Sequence, residues 1–135
     1  MIPGITTNQD LYAIARKLNL HINYIGFAEN LIDIPKKNGI YIINLGDNRI
    51  GGTHWTILYI KGKQAFYSDS YGMPPEDFVI DFVKPSKLDY NTVQLQPIDK
   101  NFCGQWAMLT AYFLKNGSGD LKKRFDEFKD HFTSL

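Results

Sequence analysis

An α+β domain is the fold class this sequence predicts, and three observations predict it. A helix-period stretch opens the chain. A central block of β-branched and aromatic residues, broken by glycine turns, follows it, and two helix-period stretches close the chain. That order of helix, strands, helix, helix does not match the regular alternation of a doubly wound sheet. The 135 residues suit a single domain over 1–135. A chain of this size buries about two-thirds of the surface its unfolded form exposes. With 44% hydrophobic and 21% charged residues, the composition argues against disorder.

The first helix is predicted over Asn8–Leu18. Thr7 or Asn8 can cap it, and Leu11, Ile14, Ala15 and Leu18 give it one apolar face. Ile22–Phe27 is short and β-branched or aromatic, which suits a strand. Residues 28–38 carry a loop signal in Pro35, Lys36, Lys37 and Asn38. Gly39–Leu45 reads as a strand, followed by a turn at Gly46-Asp47-Asn48 and punctuation at Gly51-Gly52. Thr53–Ile60 and Lys63–Ser70 read as partner strands around a Lys61-Gly62 turn. Tyr71 to Pro75 breaks the pattern. A helix over Glu76–Val83 and a short strand at Thr92–Leu95 follow. The clearest later helix is Cys103–Leu114, with Asn116-Gly117 able to supply a left-handed end. Leu121, Phe125, Phe128 and Phe132 stripe the last helix, Leu121–Phe132, as core-facing residues do.

Charge and cysteine content narrow the function classes. Fifteen basic and fourteen acidic residues are spread evenly, so no polycationic segment marks a nucleic-acid interface. The densest cluster, Lys122-Lys123-Arg124, reads as a solvated helix face. No apolar run approaches the ~18 residues of a membrane span. The first residues lack a basic and apolar leader, so an intracellular or packaged protein is expected. One cysteine excludes an intramolecular disulfide framework. His21, His54 and His131 show no ligand-like spacing, so neither a metal nor another cofactor is expected. Gly51-Gly52 precedes a strand and not a helix, unlike a phosphate loop.

Four residues carry chemistry. With a Lys61-Gly62 turn, Ile60 faces Lys63 and His54 faces Asp69. Directly opposed side chains share one sheet face, with Cβ atoms about 4.5–5.5 Å apart. A carboxylate there can fix the tautomer of an imidazole and stabilise its protonated form. A three-residue loop would shift that pairing by one. Cys103 opens a helix, where unpaired N–H groups and the positive end of the dipole favour thiolate. Gly104 leaves room beside the sulfur. The alternative for Cys103 is a buried core residue. Gln96 and Gln94, seven and nine residues before the cysteine, are candidate donors to an oxyanion and share a face if their segment is extended. They are equally ordinary strand polarity.

Together these motifs resemble one family. Gly-Gly-Thr-His54-Trp55, then Phe-Tyr-Ser-Asp69-Ser-Tyr-Gly72, then Gln96 ahead of Cys103-Gly104, is similar to the adenovirus maturation protease (adenain) family. These cysteine proteases belong to a wider clan that also processes ubiquitin-like proteins. The opening Asn8–Leu18 segment and Gly26-Phe27 extend the resemblance over most of residues 5–116. The short length is most like the capsid-maturation proteases of virophages and virus-like transposons. The resemblance implies a mixed central sheet flanked by helices, with the catalytic cysteine starting a buried helix. It implies His54 as general base, Asp69 as its orienting acid and Cys103 as nucleophile, with Gln96 and the Cys103 N–H as oxyanion hole. Trp55, Gly104 and Gly52 are the implied substrate contacts, with a core tryptophan the alternative for Trp55.

The implied activity is endoproteolysis of viral capsid precursors in the virion or infected cell, by a monomer. Four departures stand out. Asp69 is shorter than adenain's Glu, and Phe102 is larger than the usual residue before the cysteine. The lone thiol also excludes adenain's disulfide-tethered peptide activator, and the neutral charge argues against DNA activation. The alternatives are a ubiquitin- or SUMO-type deconjugating protease, an acetyltransferase of the same clan, and a non-catalytic capsid-binding domain.

Overall fold

A computed structural model describes residues 7–46, 54–95 and 102–133. Helix α1 spans Asn8–Lys17 and starts at Thr7, whose side chain accepts the Asp10 N–H while the Asp10 carboxylate accepts the Thr7 N–H. This reciprocal capping box decides between the two predicted caps. Strand β1 spans Ile22–Phe27, and a 3₁₀ helix over Ala28–Asp33 takes part of the expected loop. Strands β2 (Gly39–Asn44), β3 (Trp55–Lys61) and β4 (Gln64–Ser68) follow. Helix α2 (Asp77–Val83) leads to β5 (Lys87–Tyr90), and helices α3 (Cys103–Asn116) and α4 (Leu121–Thr133) complete the fold.

The five strands form one sheet in the order β1-β2-β3-β4-β5. The outer pairs, β1 with β2 and β4 with β5, are parallel, and the inner pairs are antiparallel. The fold is therefore α+β on a mixed sheet. Both sheet faces are covered, so β2 and β3 read as near-continuous apolar runs. Ile40, Ile42, Ile57 and Phe66 point to one side, with α1, α3 and α4. Tyr41, Ile43, Leu58 and Tyr67 point to the other, with α2 and the 3₁₀ helix. On the first side Phe66 stacks on Phe125 at 4.7 Å, and Phe128 meets Phe113, Phe125 and Phe132.

Three expectations are corrected. The β3–β4 turn lies at Gly62-Lys63, so Lys61 pairs with Gln64 and Ile60 with Ala65. Gly62, at φ +60°, takes the first central position, where glycine suits a type II′ turn. The predicted strand at Thr92–Leu95 is absent, and β5 lies earlier. The Asn91 side chain bonds to the backbone of Val93, a local turn that competes with a ladder. Lys87–Tyr90, a polar and half-exposed segment, is extended because it pairs with β4. Finally, α3 does not end left-handed. Gly117 is extended at φ −79°, and a Cβ there would lie 3.0 Å from the Arg124 side chain and from the Phe113 carbonyl. Arg124, nearly buried, donates to the Leu114 and Gly119 carbonyls instead and ties α4 to the end of α3.

Candidate active site

One rim of the sheet gathers the strand ends. Phe27 of β1 pairs with Asn44 of β2, and Asn44 with Trp55 of β3. His54 immediately precedes β3, and its carbonyl accepts the Leu45 N–H at 2.9 Å. Asp69 lies one residue past β4. Cys103 is the first residue of α3, which packs across the sheet.

The structure brings His54, Asp69 and Cys103 together. His54 Nε2 lies 2.9 Å from Asp69 Oδ1, and the imidazole also hydrogen-bonds to Cys103. Oδ1 accepts the Tyr71 N–H at 2.8 Å as well. A carboxylate only accepts, so Nε2 carries the proton and Nδ1 is the ring nitrogen left for the thiol. The backbone N–H of Trp55 donates to Cys103 Sγ at 3.3 Å. All three side chains are 3% exposed or less.

The reason His54 meets Asp69 differs from the expected one. Continuing the observed register past Ile57–Ser68 sets position 54 across from Tyr71, with Asp69 the diagonal neighbour. Moving the turn by one residue shifts every pairing by two, and the side-chain period is two, so the sheet face is preserved. Diagonal neighbours remain within reach of long side chains.

Burial works against a charged imidazole, but the hydrogen bonds to Asp69 and Cys103, and their charges, outweigh it. His54 is raised from 6.5 to about 9. The site can thus keep an imidazolium beside Cys103 Sγ at neutral pH, and a sulfur nucleophile next to an imidazole that a carboxylate orients is an arrangement that serves nucleophilic acyl transfer.

Two supporting residues were not assigned from sequence. The carboxamide of Asn91 donates to the Asp69 carbonyl at 3.0 Å and to the Val93 carbonyl at 2.7 Å. Its Oδ1 accepts the Val93 N–H at 2.8 Å. A single Asn after a polar edge strand gives no signal of this. Tyr71 stacks on His54, ring centroids 5.0 Å apart at 28°. Its place in the Asp69-Ser-Tyr-Gly72 turn was visible, but its ring contact depends on the shifted register.

The remaining predicted residues fall as follows. Trp55 is 3% exposed and belongs to the core that holds Cys103, the place of a core tryptophan. Gly104 is buried in the first turn of α3. Gln94 is exposed and stands outside any strand. Gln96 and Gly52 lie outside the described residues. Among the described residues no helix is long and apolar enough to cross a membrane, and no group of three His, Cys, Asp or Glu could hold a metal. No protein-family model matches the chain, and no curated protein matches it.

Proposed function

We propose that the protein is a cysteine endopeptidase that cleaves viral capsid or precursor proteins during virion maturation. One observation carries the chemistry: a buried imidazole hydrogen-bonded to both a carboxylate and the thiol of Cys103 at the first residue of a helix. The resemblance of the His54-Trp55, Asp69-Ser-Tyr-Gly72 and Gln96…Cys103-Gly104 motifs to the adenain family supports the viral substrate class. A monomer acting in the virion or infected cell fits the same reading.

In this reading the Cys103 thiolate attacks the scissile carbonyl carbon, forming an S–C bond. The oxyanion is held by the Cys103 N–H and by Gln96. The C–N bond then breaks as the His54 imidazolium gives its proton to the leaving amine. Neutral His54 next takes a proton from water as its oxygen attacks the thioester carbonyl carbon; the C–S bond breaks, the carboxylic acid product leaves, and the Cys103 thiolate and His54 imidazolium are regenerated. Asp69 keeps Nε2 as donor throughout.

Co-expression with the capsid proteins of the source element, read by mass spectrometry of new termini, tests this. The wild type creates new termini and Cys103→Ala creates none. Loss of the general base in His54→Ala slows cleavage by about 10²–10⁴-fold. Cleavage that survives Cys103→Ala overturns the mechanism. Labelling of Cys103 by a ubiquitin- or SUMO-type vinyl probe, without capsid cleavage, overturns the substrate class in favour of a deconjugating protease.

A further inference from the structure

We infer that Tyr71 is a positioning residue that clamps the His54 imidazole in the orientation that serves Asp69 and Cys103 together. The inference rests on the peptidase reading of this site and goes beyond its three reacting side chains. The stacked centroids lie within the 4.5–7 Å range of interacting aromatic pairs, and the near-parallel rings leave the imidazole edge free for its two hydrogen bonds. A flipped imidazole would turn a C–H toward Asp69, and a ring lying on its face restricts that motion.

The same residue holds the other partner. The Tyr71 N–H donates to Asp69 Oδ1, the oxygen that faces His54. One residue therefore touches both sides of the imidazole–carboxylate bond, with its backbone on one and its ring on the other.

The turn that carries Tyr71 is fixed from several directions. The Gly72 N–H donates to the Asp69 carbonyl at 2.8 Å, and the Leu95 N–H to the Ser70 carbonyl at 2.6 Å. Gly72 has φ +80°, and a Cβ on it would lie 2.9 Å from the Val93 carbonyl carbon. Only glycine lets the turn sit this close to the 92–94 backbone. Tyr71 is thus presented to His54 by a backbone with little freedom, as a positioning group must be. A tyrosine face also attracts a cation, so the stack favours the imidazolium that donates to the leaving group. Among the described residues, Asp69, Cys103 and Tyr71 itself are titratable groups that act on or touch this ring.

The test compares ring-keeping and ring-removing variants, Tyr71→Phe against Tyr71→Leu and Tyr71→Met. Nitrogen-edited NMR of the imidazole follows the His54 titration. The pH profile of Cys103 alkylation by iodoacetamide follows the thiol. Neither readout needs a substrate. Tyr71→Phe holds the wild-type midpoint and profile. Tyr71→Leu moves the His54 midpoint to lower pH and slows alkylation near neutrality by about three- to thirty-fold. Tyr71→Met, unbranched and of similar bulk, repeats the effect if the Leu variant does not fold. Wild-type behaviour in a folded Leu or Met variant overturns the clamp, as does equal loss in Phe and Leu. A reactive wild-type thiol with no capsid cleavage overturns the proposed substrate and leaves the clamp standing. A wild-type His54 that titrates at its ordinary value, beside a thiol of ordinary reactivity, overturns both.

Discussion

The Asn91 carboxamide nitrogen is shared between two main-chain carbonyls, that of Asp69 beyond β4 and that of Val93 beyond β5. A 2%-exposed side chain thereby fastens the ends of two neighbouring strands together beside the His54 partner. Replacing it by Ala removes three hydrogen bonds, although the Asp69 carbonyl keeps the Gly72 N–H, at a cost of about 1–3 kcal/mol. Asn91→Asp is harsher, because it puts an acceptor against two acceptors. Urea unfolding of both variants checks the order. An Asp variant as stable as the wild type would show that the donor amide is dispensable.

Gly72 and Gly46 form a matched pair for testing backbone approach. Both have φ above +80° or at it, but a Cβ meets the 92–94 backbone at Gly72 and nothing within 4 Å at Gly46. Gly46→Ala incurs the left-handed penalty alone, about 1–2 kcal/mol. Gly72→Ala adds a backbone clash, so it lowers the melting temperature further and slows Cys103 alkylation. Equal melting temperatures would sink the close-packing argument.

The pH dependence of stability has a definite sign. The folded state raises His54 from 6.5 to about 9 and so holds its proton more tightly than the unfolded chain. That stabilisation is complete below about pH 6.5 and is lost as pH rises to about 9. Asp69→Asn removes the carboxylate that bonds to Nε2, so the unfolding free energy of the variant falls less steeply across this window. Parallel denaturation curves at pH 6, 7.5 and 9 measure the difference. Identical slopes would contradict it.

Phe128 is the keystone of the aromatic packing between α3 and α4. It is 1% exposed and meets Phe113, Phe125, Phe132 and Trp106. Phe128→Ala costs about 3–5 kcal/mol. Phe132→Ala, at a half-buried position, costs less. Thermal unfolding of the two variants tests the ranking.

Periodicity made most of this architecture legible. The Leu11 and Ala15 face, the near-continuous apolar runs of β2–β4 and the Phe stripe of α4 each have one burial solution, and the structure adopts it. Lys87–Tyr90 was illegible because its extended form comes from pairing with β4 and not from its own polar side chains. The turn was misplaced because Lys61-Gly62 and Gly62-Lys63 both offer one glycine, and only the backbone conformation tells them apart. The meeting of His54 with Asp69 survived that error because a two-residue shift keeps the sheet face. Asn91 and the stacked face of Tyr71 are contacts between segments, which spacing along the chain does not encode.

His54 and Asp69 ride on the sheet, whereas Cys103 rides on α3, and Met108 and Ala111 of that helix share one core with Ile57 of the sheet and Leu11 of α1. The gap between sulfur and imidazole is therefore a mechanical quantity, set by how far one layer slides over the other. A methyl group removed beneath α3 disturbs that seat, because a close-packed interior feels the loss of even one methylene. In this molecule the hydrophobic seat of a helix doubles as the calibration of its chemistry.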